Sequence, residues 1–397
     1  MCEYSFNKYC KENPDWSGEE FAFLKSSDMI GFHKSIEGYN PTPLISLESL
    51  AKDLNVRNVY VKDESRRFGI KAFKALGASY AIFRTINKKW RNNYGSELKA
   101  DEFFKADIKT KLGKFTFCAA TDGNHGRAVA WTANKLKQKA IIYMPSNTAK
   151  SRIDSIYAEN GEVVLVDGTF DDCVSRVAQD SKKNGWQVIS DTAYPGYMEI
   201  PGFILLGYTT IFNEIEEQIK TQKLELPDFV FLQSGVGGLS AAGTFHFVSR
   251  YASKKPKLIS VEPVDSDCFL ESVKYGNGSP LPTRGKQESI MAGLNCGIPS
   301  PLAWKIIKDG MDFFLSVSDK YAEDAMRMYY HSSGNDEKII SGESGSAGLA
   351  GFLALCLNPV LADAKNKLGI NENSDILLIN TEGDTDTDNF EKVVNRI

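Results

Sequence analysis

Short apolar runs alternate with longer amphipathic stretches along most of the chain. Runs rich in β-branched and aromatic residues predict strands at Val59–Lys62, Phe115–Ala119, Ala140–Met144, Glu162–Val166, Gln187–Ser190, Phe229–Gln233, Leu258–Glu262, Phe313–Val317 and Asp375–Asn380. Helical periodicity fills most of the intervals, including the long stretch Glu199–Lys220. Strands that alternate with helices indicate parallel sheets joined by right-handed crossovers. The pattern therefore predicts an α/β fold.

Three segments depart from this alternation. The pattern predicts an irregular arm at residues 1–40, a polar surface excursion at Asn93–Lys114 and a loop-rich segment at Pro263–Pro299. With 397 residues the chain is too long for one small core, so we expect two lobes. We place a large domain at residues 1–84 and 201–397, with a smaller α/β domain at 85–200 inserted into it.

Composition and charge narrow the classes of partner. The chain has 47 Lys and Arg against 51 Asp and Glu, a formal net charge of −4, so it lacks the basic surface that nucleic-acid binding requires. No apolar run approaches the roughly 18 residues of a membrane span, and the polar N-terminus lacks an apolar signal core. Seven irregularly spaced cysteines without a CxxC pair, and four scattered histidines, indicate reduced thiols and no metal site. We expect a cytoplasmic protein with a small-molecule partner.

The segment Lys62–Ala81, KDESRRFGIKAFKALGASYA, places a lysine where a ligand would bind. It leaves a strand, turns at Gly69 and enters a helix-favouring run in which Lys74 stands near the start. In an open α/β sheet that edge is where ligands bind. Partial shielding from water eases loss of the lysine proton, and a neutral amine can form a Schiff base. On this stretch alone, a solvated helix lysine is the more common alternative.

A second candidate site is the glycine-rich turn Ser234–Leu239, SGVGGL, between a predicted strand and a predicted helix. Backbone N–H groups at such a turn can hold a phosphate. The turn matches neither the Walker pattern nor the dinucleotide pattern GxGxxG with an acid about 20 residues on. A tight packing turn is the alternative.

These motifs together resemble a known family. The lysine segment resembles that of the tryptophan-synthase-β-like, fold type II, pyridoxal-phosphate enzymes, and RFGIKAFKALG is similar to the diaminopropionate ammonia-lyases. SGESGS and SIMAGLNCG also match those lyases, and the resemblance extends from about Tyr39 to Asp386. It implies a two-lobe fold of open, twisted parallel sheets flanked by helices, with pyridoxal phosphate on Lys74. The implied phosphate loop consists of Gly235, Val236, Gly237, Gly238 and Leu239.

The loop ATDGNHGR, Ala120–Arg127, resembles the asparagine loop of that family. The resemblance implies that Asn124 bonds the phenolic oxygen of the coenzyme, and that Thr121 and His125 lie at the substrate. We expect His125 to pack or cap and not to act as a base. Without the resemblance, an Asx turn that begins a helix would be the preferred interpretation. In the same resemblance Thr381, after the last strand, supplies a neutral hydroxyl to the ring nitrogen, which favours elimination over transamination.

Two carboxylates distinguish the chain from related dehydratases. Asp122 stands where threonine and serine dehydratases of this fold usually carry a small residue, and Asp191 ends a predicted strand in the D-T-A pattern of the family. For Asp191 alone, a loop N-cap is the more common interpretation. Two acids at one site would attract a substrate with a second amino group and could act as general acids or bases. The predicted substrate is therefore a diamino acid.

The function that the resemblance implies is elimination of ammonia from 2,3-diaminopropionate, D and L, giving pyruvate and two ammonia. This carbon–nitrogen lyase would be a homodimer, with Lys74, Asp122 and Asp191 as catalytic residues. The alternatives are a serine/threonine dehydratase-like or desulfhydrase-like lyase, against which Asp122 argues, and a silent coenzyme or amino-acid binding module. We also expect Cys268 and Cys296, which bracket a long loop and have counterparts in related lyases, to lie close together.

Overall fold

The computed structural model describes residues 2–25, 29–121 and 123–396. The strands in these ranges are β1 Glu3–Phe6, β2 Leu44–Ser46, β3 Asn58–Asp63, β4 Thr116–Ala120, β5 Lys139–Pro145, β6 Glu162–Val166, β7 Gln187–Val188, β8 Phe229–Gln233, β9 Lys257–Pro263, β10 Phe313–Val317 and β11 Asp375–Asn380.

The helices begin with α1 Met29–Lys34, α2 Glu48–Asp53, α3 Lys74–Tyr94, α4 Ala106–Lys111, α5 Asn124–Lys135, α6 Lys150–Ala158, α7 Phe170–Asn184 and α8 Glu199–Gln222. They continue with α9 Gly238–Tyr251, α10 Cys268–Tyr275, α11 Pro301–Gly310, α12 Asp319–His331, α13 Ala347–Leu357, α14 Ala362–Leu368 and α15 Thr387–Val394.

The chain folds into two compact units. The first, which we call the seven-stranded unit, comprises Met1–Trp16, Pro41–Arg66 and Ile211–Ile397, and the second, the four-stranded unit, comprises Ser17–Asn40 and Arg67–Thr210. The predicted domain boundaries lie after residues 84 and 200 instead. Residue 84 lies inside α3, and the four-stranded unit takes in all of that helix, whereas the boundary after Thr210 falls inside α8. The predicted domain boundaries stay a prediction.

The sheet of the seven-stranded unit has the order β1-β10-β9-β8-β11-β3-β2. Its inner neighbours are parallel, and only the edge strands β1 and β2 pair in the antiparallel sense. Every residue of β8 and β11 is buried, as expected of parallel strands covered on both faces. Parallel strands end at one edge, so the chain leaves β8 and β11 on the same side of the sheet. There Asn380 Nδ2 donates to Asp63 Oδ1 at 2.8 Å across β11 and β3.

Helix α13 fills the core behind this sheet. It is apolar on every side, and residues 347–355 are buried, as such a helix requires. Phe352 packs against Phe231 of β8, with ring centroids 5.5 Å apart and the rings tilted by 58°. Among the described residues no single helix is long and apolar enough to cross a membrane. The segments Ala347–Leu357 and Pro359–Leu368 are long and apolar enough only when taken together, and the chain bends by 84° between them.

The sheet of the four-stranded unit has the order β6-β5-β4-β7, and all its pairs are parallel. One apolar cluster lies between this sheet and α7, formed by Cys118, Ile141, Tyr143, Cys173 and Val177. Helix α7 begins with a complete capping box in which the Thr169 hydroxyl accepts from the Asp172 N–H and the Asp172 carboxylate accepts from the Thr169 N–H. The β4 and β7 ends deliver two predicted site segments to one edge.

One prediction about an irregular segment is wrong. The arm contains β1, which adds an edge strand to the large sheet because Glu3–Phe6 pairs with β10. The segment 263–299 is rich in loops, as predicted, but it also contains α10, whose residues 268–273 are buried. The α10 helix is stabilised by Glu262, whose two carboxylate oxygens accept from the Phe269 and Leu270 N–H groups at 2.8 and 2.9 Å. This cap comes from a strand residue, so helical periodicity could not indicate it.

Candidate active site

Lys74 begins helix α3 after a tightly turned segment. Phe68, Gly69 and Lys71 have positive φ angles of 49°, 73° and 57°. Left-handed backbone is uncommon outside glycine, and three such residues within four positions reverse the chain sharply. The predicted turn at Gly69 and the predicted helix near Lys74 therefore both exist in the structure.

The Lys74 side chain lies in a cluster of charged and aromatic groups of the four-stranded unit, and it is 18% exposed. Its Nζ donates to Asp191 Oδ2 at 2.6 Å. The same nitrogen lies 5.4 Å from the ring centroid of Phe73 and 5.9 Å from that of Tyr208. A carboxylate and two ring faces all favour the charged ammonium. We call Lys74, Asp191, Phe73, Tyr208 and His125 the lysine cluster.

Asp191 is 9% exposed and follows β7 on a fixed backbone. The Tyr197 hydroxyl accepts from the Ser190 N–H at 3.0 Å and donates to the Val188 carbonyl at 3.0 Å, which anchors the residues just before Asp191. Burial by itself raises the pKa of Asp191, but the charge of Lys74, the His125 ring and the Lys74 hydrogen bond lower that pKa to about 2. The carboxylate is therefore ionised throughout the neutral range.

The asparagine loop is held by the Thr121 hydroxyl. Its Oγ1 accepts from the Gly123 and Gly126 N–H groups, each at 3.0 Å, so the loop turns directly into α5. Gly123 has a φ of 149°, which side-chain-bearing residues rarely adopt. Asn124 is the first residue of α5. Asp122, the predicted second acid, lies outside the described residues.

His125 also belongs to the four-stranded unit and is 3% exposed. Its Nε2 lies 2.7 Å from the Ile189 carbonyl oxygen, and its Nδ1 lies 3.9 Å from Asp191 Oδ2. Burial lowers the pKa of the ring in spite of the neighbouring carboxylate. The imidazole is therefore neutral and bound to the chain just after β7. The expectation that His125 packs or caps and does not act as a base stays a prediction.

Tyr208 reaches Lys74 because two helices approach at glycines. A Cβ on Gly77 of α3 would lie 2.5 Å from Tyr208 Cε1, and a Cβ on Gly207 of α8 would lie 2.4 Å from the Leu76 carbonyl oxygen. Neither distance is possible for a real side chain. The absence of both side chains lets the Tyr208 ring pack on α3, 4.6 Å from the Phe73 ring. Sequence reasoning missed this contact, since no local pattern joins residues 77 and 208.

The glycine turn of the seven-stranded unit leaves β8 and enters α9. Gly237 has a φ of 94°, and a Cβ there would lie 2.4 Å from Phe269 Cζ. A Cβ on Gly235 would lie 3.0 Å from the Gly293 carbonyl oxygen and 3.2 Å from Cys296 Sγ. The turn is therefore closed to side chains on its protein side. It presents main-chain groups at the start of a 14-residue helix, an arrangement that suits an anion.

Thr381 is 3% exposed and follows β11 in the seven-stranded unit. Its hydroxyl accepts from Gln233 Nε2 at 3.3 Å and donates to the Ser344 carbonyl at 3.4 Å. Gln233 is the last residue of β8, and its amide also donates to the Ile379 carbonyl at 2.9 Å. The predicted hydroxyl and the start of the glycine turn are thus joined by one buried amide.

Cys268 and Cys296 both lie beside Gly235. The Cys268 Sγ is 3.9 Å from the Gly235 carbonyl oxygen, and Cys296 Sγ lies against the same glycine. Both are buried, and neither forms a disulfide. The expectation that the ends of the long segment meet agrees with this placement.

The predicted residues thus fall into two groups. Lys74, Asp191, His125 and Thr121 belong to the four-stranded unit, and the first three are members of the lysine cluster. The turn Gly235–Leu239 and Thr381 belong to the seven-stranded unit and leave the same sheet edge. The sequence analysis did not identify Phe73, Tyr208 or Tyr197, because their roles depend on contacts that only the folded chain makes.

Sequence comparison identifies the family. The family model described as "Pyridoxal-phosphate dependent enzyme" matches residues 36–382. Diaminopropionate ammonia-lyase of Escherichia coli strain K12 is 40% identical over 399 residues, which covers 99% of this chain and 98% of that protein. The enzyme of the same name from Salmonella typhimurium strain LT2 is 36% identical over 398 residues, with 99% and 98% coverage.

Structural comparison agrees. The structure of Escherichia coli diaminopropionate ammonia lyase in complex with the aminoacrylate-PLP azomethine reaction intermediate superposes with a TM-score of 0.88, at 36% identity, over 100% of this chain and 97% of that one. The complex of the same enzyme with D-serine gives 0.89 at 37% identity and the same coverage. Threonine deaminase isoform 2 from Solanum lycopersicum, at 24% identity, shares the fold with a TM-score of 0.73 over 98% of this chain and 96% of that one.

These matches confirm the predicted fold class, the predicted cofactor and the prediction of a carbon–nitrogen lyase. The chain belongs to the pyridoxal-phosphate-dependent enzymes and, within them, to the diaminopropionate ammonia-lyase family.

Proposed function

We propose that this protein converts D- and L-2,3-diaminopropionate and water to pyruvate and two ammonia by pyridoxal-phosphate-dependent α,β-elimination. The observation that carries the proposal is the ion pair of Lys74 with Asp191 at 2.6 Å, within a chain related along 99% of its length to enzymes of this name. The lysine supplies the amine that the cofactor needs. The buried carboxylate supplies a counter-charge for an amino group.

The residues present fit pyridoxal phosphate. Lys74 is a shielded primary amine, and the turn Gly235–Leu239 is a cradle in which a Cβ on Gly237 would clash. We assign Lys74, Asn124, Gly235, Val236, Gly237, Gly238, Leu239 and Thr381 to cofactor binding. When bound, the cofactor withdraws electrons from the carbon that loses its proton, which is what makes the elimination feasible.

The residues of this chain would bind the substrate and transfer its protons. Thr121, Asp122, His125 and Asp191 are the proposed substrate contacts. Asp191 is ionised and neutralises the second amino group, while Lys74, once its nitrogen is released from the cofactor, accepts the α-proton on one face. Ammonia leaves only as a neutral molecule, so the β-nitrogen must be an ammonium when its bond to carbon breaks. The ionised Asp191 stabilises that form, and the lysine ammonium can supply the proton to a substrate that binds as the neutral amine.

Asp122 is the proposed base for the opposite face. Two enantiomers held through the same carboxylate and α-nitrogen present their α-protons to opposite sides. Lys74 serves one side, so turnover of both isomers requires a second base, and the asparagine loop carries Asp122 next to Thr121.

A product assay tests the function. The cofactor-loaded protein is incubated with D- or L-diaminopropionate, and pyruvate and ammonia are measured separately. We expect pyruvate and ammonia in a ratio of one to two from both isomers. D- and L-serine, threonine and cysteine serve as parallel substrates that a dehydratase or a desulfhydrase would prefer. Turnover of these alone, or of none of the substrates, would overturn the proposal.

We further propose that the protein is cytoplasmic and forms a homodimer. None of the seven cysteines forms a disulfide and most are buried, which suits a reducing compartment. The dimer rests on the family resemblance. Light scattering after size exclusion should give twice the 44.0 kDa mass of the chain, and a mass equal to one chain would contradict it.

A further inference from the structure

The tautomer of His125 is fixed by its surroundings. Nε2 lies 2.7 Å from the Ile189 carbonyl oxygen, and a carbonyl can only accept, so Nε2 carries the proton. Since burial keeps the ring neutral, Nδ1 is an unprotonated acceptor. Nδ1 is buried and has no hydrogen-bond partner among the residues that the structure describes. Buried acceptors are rarely left unpaired, so this one requires an explanation.

A charged group that the structure places beside this acceptor is itself an acceptor. Asp191 Oδ2 lies 3.9 Å from Nδ1, and an ionised carboxylate cannot donate to it. The donor on Asp191 in this structure is the Lys74 ammonium, at 2.6 Å. When the Lys74 nitrogen is bound to the cofactor, it can no longer serve Asp191 as an ammonium. His125 Nδ1 and Asp191 Oδ2 are then two neighbouring buried acceptors, one of them charged, and both require N–H donors.

We propose that His125 Nδ1 and Asp191 together bind the second ammonium group of the substrate, and that His125 thereby selects diamino acids over hydroxy acids. The inference rests on the proposed function and adds a specificity-determining residue to it. An ammonium has three N–H donors and can serve both acceptors, whereas the hydroxyl of serine has one O–H and can serve only one. A buried acceptor left unserved rejects the wrong substrate strongly.

Two substitutions separate this role from a structural one. In His125→Gln the side-chain amide can reach the Nε2 position and keep the bond to the Ile189 carbonyl, but it removes the Nδ1 acceptor. In His125→Asn the carbonyl oxygen can replace the Nδ1 acceptor, but the bond to Ile189 is lost. His246→Gln is the matched control, since His246 is a 5% exposed histidine of the seven-stranded unit that we place in no binding role.

The readout is the ratio of kcat/KM for diaminopropionate to kcat/KM for serine. We expect His125→Gln to lower this ratio about 10- to 100-fold, chiefly through KM for diaminopropionate, and His125→Asn to restore most of it. His246→Gln should leave the ratio unchanged. The inference is overturned if His125→Gln keeps the wild-type ratio, or if His125→Asn loses as much as His125→Gln while both remain folded.

A wild-type measurement covers the case in which neither variant folds. Substrates with a monomethylated or dimethylated β-nitrogen carry two or one N–H when protonated. We expect the KM to rise more on the second methylation than on the first, because two acceptors need two donors. Equal rises would overturn the inference. Absence of pyruvate from unmodified diaminopropionate in the wild type would instead show that the proposed function itself is wrong.

Discussion

The lysine cluster of the four-stranded unit is made of charged and aromatic side chains, whereas the glycine turn of the seven-stranded unit is made of main chain and neutral groups. Lys74, Asp191 and His125 differ in charge, and each can gain or lose a proton. Gly237 and Thr381 do not change charge, because a glycine backbone and a buried hydroxyl keep one charge state across the neutral range. We infer that the proton-transferring groups lie in the four-stranded unit, and that the seven-stranded unit contributes only neutral groups that hold the cofactor. The two regions should therefore respond differently to substitution and to pH.

The largest effect should come from Lys74→Ala. Loss of the amine that bonds the cofactor should lower turnover on the order of 10⁴-fold or more. The absorbance band that distinguishes lysine-bound cofactor from free pyridoxal phosphate should also disappear. Lys71→Gln is the control, because Lys71 lies three residues away in the same turned segment. Borohydride reduction followed by peptide mapping should label Lys74. A label on Lys71 would contradict the assignment.

The next effect tests whether protons are transferred on two faces. Asp122→Asn should abolish most turnover of D-diaminopropionate, about 10²- to 10⁴-fold, and spare much of the L activity, because only one isomer needs the second base. Asp191→Asn should weaken both isomers, mainly in KM. Steady-state kinetics on each pure isomer provides the measurement. Equal losses of D and L activity in Asp122→Asn would show that Asp122 anchors the substrate and is not a base.

A smaller effect is expected from a substitution in the glycine turn of the seven-stranded unit. Gly237→Ala forces a side chain onto Phe269 at a φ of 94°. Such strain amounts to about 1–3 kcal/mol, so cofactor affinity should fall about 5- to 100-fold with little change in the pH profile. Gly369→Ala is the control, with a φ of 85° and no heavy atom closer than Lys257 Nζ at 3.9 Å. It should lower the melting temperature without changing cofactor affinity. Equal affinity in both variants would contradict the phosphate role.

The smallest effect concerns stability against pH in the protein without cofactor. The folded-state pKa of Asp191 is lowered to about 2, against about 3.9 for an unfolded Asp. A lowered pKa contributes stability above pH 4 that is lost as the pH falls towards 2, so the advantage of wild type over Asp191→Asn should shrink by about 2 kcal/mol across that window. The exposed pair Lys150 and Asp154 provides the control, because Asp154→Asn should change little. A constant difference would argue against the buried ion pair.

Sequence reasoning predicted the sheets well because buried parallel strands are nearly continuous apolar runs, as β8 and β11 illustrate. It also singled out Lys74 and Asp191. It could not show that the two side chains meet, since they are 117 residues apart in the chain. Nor could it fix the proton on His125, which depends on the carbonyl of Ile189, or find α10, whose cap comes from Glu262. Those properties arise from tertiary contacts and have no local pattern.

The close crossing of α3 and α8 limits how the protein can be redesigned. Gly77 and Gly207 admit no side chain, because each would meet an atom of the other helix within 2.5 Å. An engineer who changes the wall beside Lys74 therefore cannot begin at either glycine. Position 207 is closed by main-chain atoms of α3, so no shortened side chain opens it. Position 77 is closed by Tyr208 and by Ile204 Cγ2, the latter at 2.7 Å, so both side chains must be shortened before an alanine fits there. The crossing therefore sets the order in which these positions can be mutated.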